Sequence, residues 1–279
     1  MKAGRVMGWA LAALCMPALA GAAAYDCLIE PSQVVDLRTT VEGLIETVNV
    51  RRGDKVRRGQ VLAELQSRAE KLAVESARFR SQMEGQIATA QNRIDYATKK
   101  FARAEELQKS QMVTNQARDE AQAELQLAQA ELQAATENRE MARIEYQRAL
   151  EQLAMRTMTS PFNGVVVDRM LNPGDLAEAG TGRKPVLKLA QIDPLRVDIF
   201  LPGALFGKVK PGDRVVLTPV GAAVRHVALV RMVDRVVDAA SGTIVARLDL
   251  PNRSGEIPGG VRCKAEFDPP LAGAAATTP

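Results

Sequence analysis

From Ser67 to Leu153 the chain contains no proline, and Gly85 is its only glycine. A stretch of that length without turn punctuation is helix. In its second half Ala121, Leu125, Ala128, Leu132, Ala135, Arg139, Ala142, Tyr146, Ala149 and Leu153 alternate steps of four and three, and only Arg139 is not apolar. That spacing is a coiled-coil seam. In the first half Ile87, Ala90, Ile94, Ala97, Phe101 and Ala104 repeat it. Leu65, Leu72 and Phe79 are expected to extend the seam backwards, with a stutter near Met83. Between the halves, Lys109-Ser110-Gln111-Met112-Val113-Thr114-Asn115 interrupts the pattern, and Thr114 or Asn115 can cap a second helix. The economical reading is an antiparallel hairpin. Each arm has about 40 residues and at ~1.5 Å per residue projects ~60 Å. The alternative is one continuous helix in a parallel dimer.

Composition removes several function classes. The 279 residues carry 37 Lys plus Arg against 33 Asp plus Glu, a net charge of +4. That balance lacks the concentrated basic face of a nucleic-acid binder. One histidine, His226, and three cysteines leave little for a metal cage or a histidine-based triad. His226 reads as structural. Six Phe, three Tyr and one Trp are few for a compact enzyme core.

Lys2 and Arg5 precede an apolar run from Val6 to Ala24. Cleavage after Ala20 or Ala24 would complete a secretory signal over residues 1–24, with an uncleaved membrane anchor as the alternative. Leu14 before Cys15 is not the small residue a lipoprotein signal needs. Export changes the reading of Cys27 and Cys263, because an oxidising compartment favours a bridge between the two remaining cysteines. Val261, Cys263, Ala265 and Phe267 alternate with Arg262, Lys264 and Glu266, so Cys263 is expected to point inward from a strand. Two separate buried thiols are the alternative to the bridge.

The helical stretch is flanked by two related segments. Before it come Val41-Glu42-Gly43-Leu44-Ile45, Gly53-Asp54 and Gly59-Gln60-Val61-Leu62. After it come Phe162-Asn163-Gly164-Val165-Val166, Gly174-Asp175 and Pro185-Val186-Leu187. Gly43 to Gly53-Asp54 and Gly164 to Gly174-Asp175 share one spacing. The glycines suit tight turns and the β-branched residues between them suit short strands. Two halves of one small β domain, with its middle drawn out into the hairpin, explain the repeat.

The repeat resembles the two half-motifs of a biotinyl/lipoyl-like domain. Interrupted by a coiled-coil hairpin, it resembles the periplasmic adaptor subunits, also called membrane fusion proteins or the HlyD-like family, over residues 30–268. The resemblance implies an elongated α+β fold. A split biotinyl/lipoyl-like β domain is interrupted by a long antiparallel α-helical coiled-coil hairpin and followed by a small β-barrel. The expected boundaries are 25–32 for an N-terminal segment pairing with the barrel, 33–66 and 154–191 for the two halves, and 67–153 for the hairpin with its tip at about 108–115. The barrel is expected over 192–268 and a disordered tail over 269–279. A membrane-proximal domain is expected to be missing or reduced to residues around 25–31.

A carrier domain of this type needs a modifiable lysine. Ala154-Met155-Arg156-Thr157 echoes a biotin-attachment motif but places Arg156 at the lysine position, so no covalent lipoyl or biotin group, and no other cofactor, is expected. The basic run Arg51, Arg52, Lys55, Arg57 and Arg58 could suggest nucleic acid or anionic lipid, but with turn glycines around it reads rather as the solvated edge of the small domain.

Family members that dock an outer-membrane channel carry an Arg, a Leu four residues on and a Ser seven further. Here Arg103, Leu107 and Thr114 match that spacing, with Thr114 in place of Ser. Arg103 and Leu107 share a helix face. The resemblance implies channel docking through these three residues; a solvated Arg and a seam-edge Leu are the bland alternative.

From residue 193 onward short strands and turns suggest a small barrel, which the resemblance places between the lipoyl-like domain and a transporter. Gly203 to Lys208 lacks the spacing of a P-loop, and Gly180-Thr181-Gly182 is no dinucleotide fingerprint. The resemblance therefore implies a non-enzymatic adaptor between an inner-membrane transporter, of RND type, and a TolC-type channel, working as a homo-oligomer, by family analogy a hexamer. An adaptor of an ABC-type exporter and a periplasmic coiled-coil scaffold without a transport role are the alternatives.

Overall fold

The structure, a computed structural model, describes residues 23–180, 182–221 and 224–271. The signal segment before residue 23 and the tail from residue 272 lie outside the described residues. In chain order the elements are β1 (Ala24–Leu37), β2 (Gly43–Val48), β3 (Lys55–Val56), β4 (Val61–Leu65), α1 (Arg68–Ser81), α2 (Gly85–Lys109) and α3 (Asn115–Ala154). Then follow β5 (Thr157–Thr159), β6 (Gly164–Arg169), β7 (Leu176–Ala177), β8 (Leu187–Pro202), β9 (Arg214–Pro219), β10 (His226–Val233), β11 (Thr243–Leu250) and β12 (Val261–Asp268). The chain divides into two units, residues 34–190 and residues up to 33 together with those from 191.

In the unit of residues 34–190 the two flanking segments interlock. β2 pairs antiparallel with β4 of its own half and with β7 of the other, while β6 pairs with β8 and with β3. The turns repeat the exchange. Gly53 N–H donates to the Val166 carbonyl at 2.8 Å, and Val166 N–H returns to the Asp54 carbonyl at 3.0 Å. Gly174 N–H donates to the Ile45 carbonyl at 2.9 Å, and Ile45 N–H returns to the Asp175 carbonyl at 3.0 Å. Asp54 and Asp175 each close their turn by accepting from the backbone three residues earlier, Arg51 N–H at 2.7 Å and Asn172 N–H at 2.8 Å. Both turn glycines sit at φ 92°, where a side chain would be strained. Ile45, Leu62, Leu65, Val166, Leu187 and Leu189 bury between the strands, each such side chain contributing about 1.5–3 kcal/mol.

Gly43 and Gly164 differ from the turn role expected of them. They open strands β2 and β6, and it is close approach that excludes a side chain. A Cβ on Gly164 would lie 2.3 Å from the Ala190 carbonyl oxygen, whereas one on Gly43 would meet the Arg156 guanidinium at 2.6 Å.

In the other unit, β1, β12, β9, β10, β11 and β8 lie side by side in that order, and β1 also pairs with β8, giving a barrel. Leu195, Val197, Ile199 and Leu201 of β8 are fully buried, as alternation requires. Cys27 lies directly opposite Cys263 in the β1–β12 register. Their Cα atoms are 4.8 Å apart and the sulfurs are bonded, inside the barrel core. Buried Asn252 donates to the Ile192 and Ile257 carbonyls and accepts from Ile257 N–H, so its polar atoms are satisfied. The β10–β11 turn is closed by Asp238, whose carboxylate accepts from Ala240 and Ser241 N–H at 2.8 and 2.9 Å. Those bonds, Ser241's first, hold the Asp238 pKa below its ordinary value.

Two outcomes follow from this geometry. Gly164→Ala forces backbone against backbone and is expected to lower the denaturant stability by about 1–3 kcal/mol; Gly43→Ala, which displaces only the end of a flexible side chain, should cost less. Asp238 is stabilising as a carboxylate, so its contribution holds at neutral pH and is lost as pH falls through its depressed folded pKa. Amide exchange at Ala240 and Ser241, corrected for the intrinsic pH dependence, is expected to accelerate there; protection unchanged down to full protonation would contradict this.

Candidate functional site: the hairpin and its tip

The first arm is two helices. α1 ends at Ser81, where Gln82 and Met83 N–H bond to the Phe79 and Arg80 carbonyls at 3.2 Å each, and α2 starts at Gly85. α3 runs unbroken for 40 residues alongside both. The interruption resets the seam. In α1 the inward positions are Glu70, Val74, Ala77 and Ser81, in steps of four, three and four. Leu72 and Phe79, expected in the seam, are 61% and 67% exposed on the outer face, and Leu65 belongs to β4. The phase expected from the sequence assumed one helix into α2, and the non-helical residues 82–84 break that continuity. Opposite the interruption, a notch of about 560 Å³ is bordered by Met83, Ile87, Ala135, Arg139 and Ala142. Arg139 there reaches Glu84 at 3.8 Å.

Every fully buried residue of the three helices is alanine: Ala77, Ala90, Ala97, Ala121, Ala128 and Ala149. Small seam residues let two helices approach closely, and two helices alone have no interior for large side chains. One edge of the pair is lined by cations of the first arm facing anions of the second: Arg80–Glu145 at 3.4 Å, Arg93–Glu131 at 2.8 Å and Lys100–Glu124 at 2.6 Å. First-arm numbers rise as second-arm numbers fall by nearly equal steps, which is antiparallel register. The hydrogen bond from Lys100 to Glu124, and then the Glu124 charge, raise the Lys100 pKa. Exposed pairs like these add little stability but penalise wrong registers.

At the hairpin root Arg156 donates to the Glu42 carbonyl at 2.8 Å and pairs with Glu70 at 2.6 Å. Its position in the lysine-like motif thus holds α1 against the entry to β2.

At the tip, α2 closes with Ser110 and Gln111, the latter at φ 56°. Met112 N–H bonds to the Leu107 carbonyl at 2.9 Å, and the Met112 side chain is 74% exposed. Gln108 donates to Asn115 across the turn at 3.0 Å. Thr114 is the N-cap of α3, its hydroxyl accepting from Ala117 N–H at 3.3 Å. Arg118 lies 5.8 Å from the Phe101 ring centroid, bracing the two arms just below the tip. Arg103 is exposed, donates to the Lys99 carbonyl at 3.2 Å, and makes no ion pair among the described residues. Leu107 is exposed at 41%. Arg103 and Leu107 therefore stand outward one turn apart, while Thr114 spends its hydroxyl on the cap. Met112 belongs to this surface too; its place in the seam lapse was visible in the sequence, but its exposure depended on the turn. Among the described residues no group of His, Cys, Asp and Glu is placed to hold a metal ion.

The description "CzcB-like, barrel-sandwich hybrid domain" matches residues 33–182. The chain belongs to this family. It is 26% identical to the multidrug resistance protein MdtE of Escherichia coli K12 over 253 residues, 85% of this chain and 62% of that one. It is 24% identical to the pyoverdine export membrane fusion protein PvdR of Pseudomonas aeruginosa over 185 residues, covering 66% of this chain and 47% of PvdR. The chain thus spans about half to two thirds of the length of these relatives. The crystal structure of MacA from Actinobacillus actinomycetemcomitans superposes with a TM-score of 0.74 at 22% identity, over 88% of this chain and 77% of MacA, and shows the shared fold. The matched domain and the likeness to PvdR set the chain among the membrane fusion proteins.

The cap assigns Thr114 a structural part that can be separated from docking. Thr114→Ser should keep the protection of the Ala117 amide, while Thr114→Val should speed its exchange about fivefold, the loss of ~1 kcal/mol expected for an N-cap. Equal protection in both variants would show that the cap carries no local stability.

Proposed function

We propose that the chain bridges an inner-membrane transporter and a TolC-type outer-membrane channel in the periplasm, reached by export and cleavage of its N-terminal segment. The split β domain corresponds to the lipoyl-like module of adaptors, and its hairpin carries the channel contact outward. The observation that carries this reading is the tip. A capped, braced turn at the end of a helical pair presents Arg103, Leu107 and Met112 to solvent, and among the described residues Arg103 makes no ion pair. A guanidinium can fork onto carboxylates or carbonyls of a partner, and the apolar side chains can fill a groove beside it. Docking uses Arg103, Leu107 and Thr114, the last through the turn it fixes.

Weak single tips become effective when several copies, six in the proposed ring, engage one channel together. The transporter is proposed to be of RND type. The adaptor makes and breaks no bonds; it seals a conduit and couples transporter state to channel opening.

In-cell cross-linking from a photoreactive residue at position 112 tests the docking. The wild-type tip should capture an outer-membrane channel, and Arg103→Asp should reduce capture at least tenfold with the fold intact. Retained capture would overturn the docking assignment. Co-purification of an ABC-type exporter would overturn the RND partner, and unchanged efflux in a deletion strain across drugs, metals and solvents would leave a scaffold role.

A further inference from the structure

We infer that two apolar patches on opposite backs of the hairpin, one on α1 and one on α3, meet between neighbouring copies of this chain. This contact rests on the proposed ring and assigns the surfaces that join it.

α1 turns polar and small side chains inward, Glu70, Ala77 and Ser81 among them, and leaves large apolar ones outside. Phe79 lies two residues from each of the inward Ala77 and Ser81, and at about 100° per residue it points away from α3. Leu72 stands on the same back, two turns nearer the root. On α3, Ile144 lies two residues from each of the seam residues Ala142 and Tyr146, so it points away from α1. Met141 is its neighbour one turn toward the tip. All four side chains are more than half exposed, as is Met83 in the break between α1 and α2. Soluble helices normally bury such side chains and expose the polar ones.

Register puts the two patches at one height. The Arg80–Glu145 pair marks one level along the hairpin, and Phe79 and Ile144 are the immediate neighbours of its two members. The Arg139–Glu84 pair marks another, with Met83 beside Glu84 and Met141 two residues from Arg139. Each apolar residue thus has a counterpart on the other back within about two residues, or ~3 Å along the axis. Nearer the tip, the corresponding outward positions carry Asn92 and Lys99 on α2 and Ala130 and Glu137 on α3. The apolar match is therefore confined to the root half of the arms, clear of the tip.

That match selects the occupant. A foreign protein seated on one back would set no relation between the two. A second copy, turned about an axis along the hairpin without sliding, brings its Phe79 and Met83 onto Ile144 and Met141 of the first. Such a contact joins two different faces, and a rotation without rise closes a ring instead of growing a filament.

The test is cross-linking in cells that make only the variant chain, with Cys15→Ser throughout; Cys27 and Cys263 are bonded to each other. Phe79→Cys and Ile144→Cys together, treated with a short bis-maleimide, should give a ladder of covalent multimers, because within one copy the two positions face apart. Either substitution alone should give no product. Phe79→Cys with Glu137→Cys, two turns (~10 Å) off level on the same back of α3, should lower the yield at least fivefold. Dimers from Phe79→Cys alone overturn the inference in favour of a twofold contact, and a product with another protein overturns it in favour of that partner. An amine cross-linker applied in parallel separates this contact from the ring itself. Multimers with that reagent but no ladder through positions 79 and 144 overturn the contact and leave the ring; no multimers with either reagent overturn both.

Discussion

The reciprocal bonding of the two flanking segments is what the hairpin depends on. Each half supplies a Gly-Asp turn that brackets a strand residue of the other: Gly53 and Asp54 hold Val166, and Gly174 and Asp175 hold Ile45. Neither half can satisfy its strand edges alone, because β2 needs β7 and β6 needs β3. Closing the halves therefore brings the two ends of the helical insert together at one place. Arg156 fixes that place further by tying the end of α3 to Glu42 and Glu70. The two arms are then antiparallel neighbours before their own contacts contribute.

Those contacts are individually small. An alanine seam buries little apolar area per turn, and exposed ion pairs contribute modestly. A hairpin of this kind is held by its root, by helix propensity and by the repetition of weak contacts along its length. The same economy keeps the surface of the tip uncommitted. Thr114, Gln108 and Asn115 each bond within the turn, while Arg103, Leu107 and Met112 stand outward. A contact surface for a large partner needs this combination of a fixed frame and unspent side chains.

The second-arm seam was legible because an unbroken helix keeps one phase. All ten residues from Ala121 to Leu153 that obey the spacing are buried or half-buried. The first arm was legible only from Ile87 onward. Before it, the heptad steps through Leu72 and Phe79 pointed to a face that the interruption at residues 82–84 turns outward. Periodicity fixes which residues share a face, but relates two faces only while the helix between them is continuous. Gly43 and Gly164 show a similar limit. A repeated glycine signals that a side chain is excluded, but not whether a turn or a neighbour excludes it. Here the neighbours are Arg156 and the Ala190 carbonyl, both remote in sequence.

The sequence by itself determined the helical insert, the repeated Gly-Asp segments around it and the alternating strands of the barrel. All three follow from local period and local backbone preference, which a chain carries wherever it folds. It left open whether Cys27 and Cys263 bridge, and it did not show that Val236, in the β10–β11 turn, is exposed. Only tertiary structure decided these. Strand register set the two cysteines face to face, and the bonded turn around Asp238 keeps Val236 in solvent. Register and exposure belong to pairs of segments distant in the chain, and no single segment encodes them.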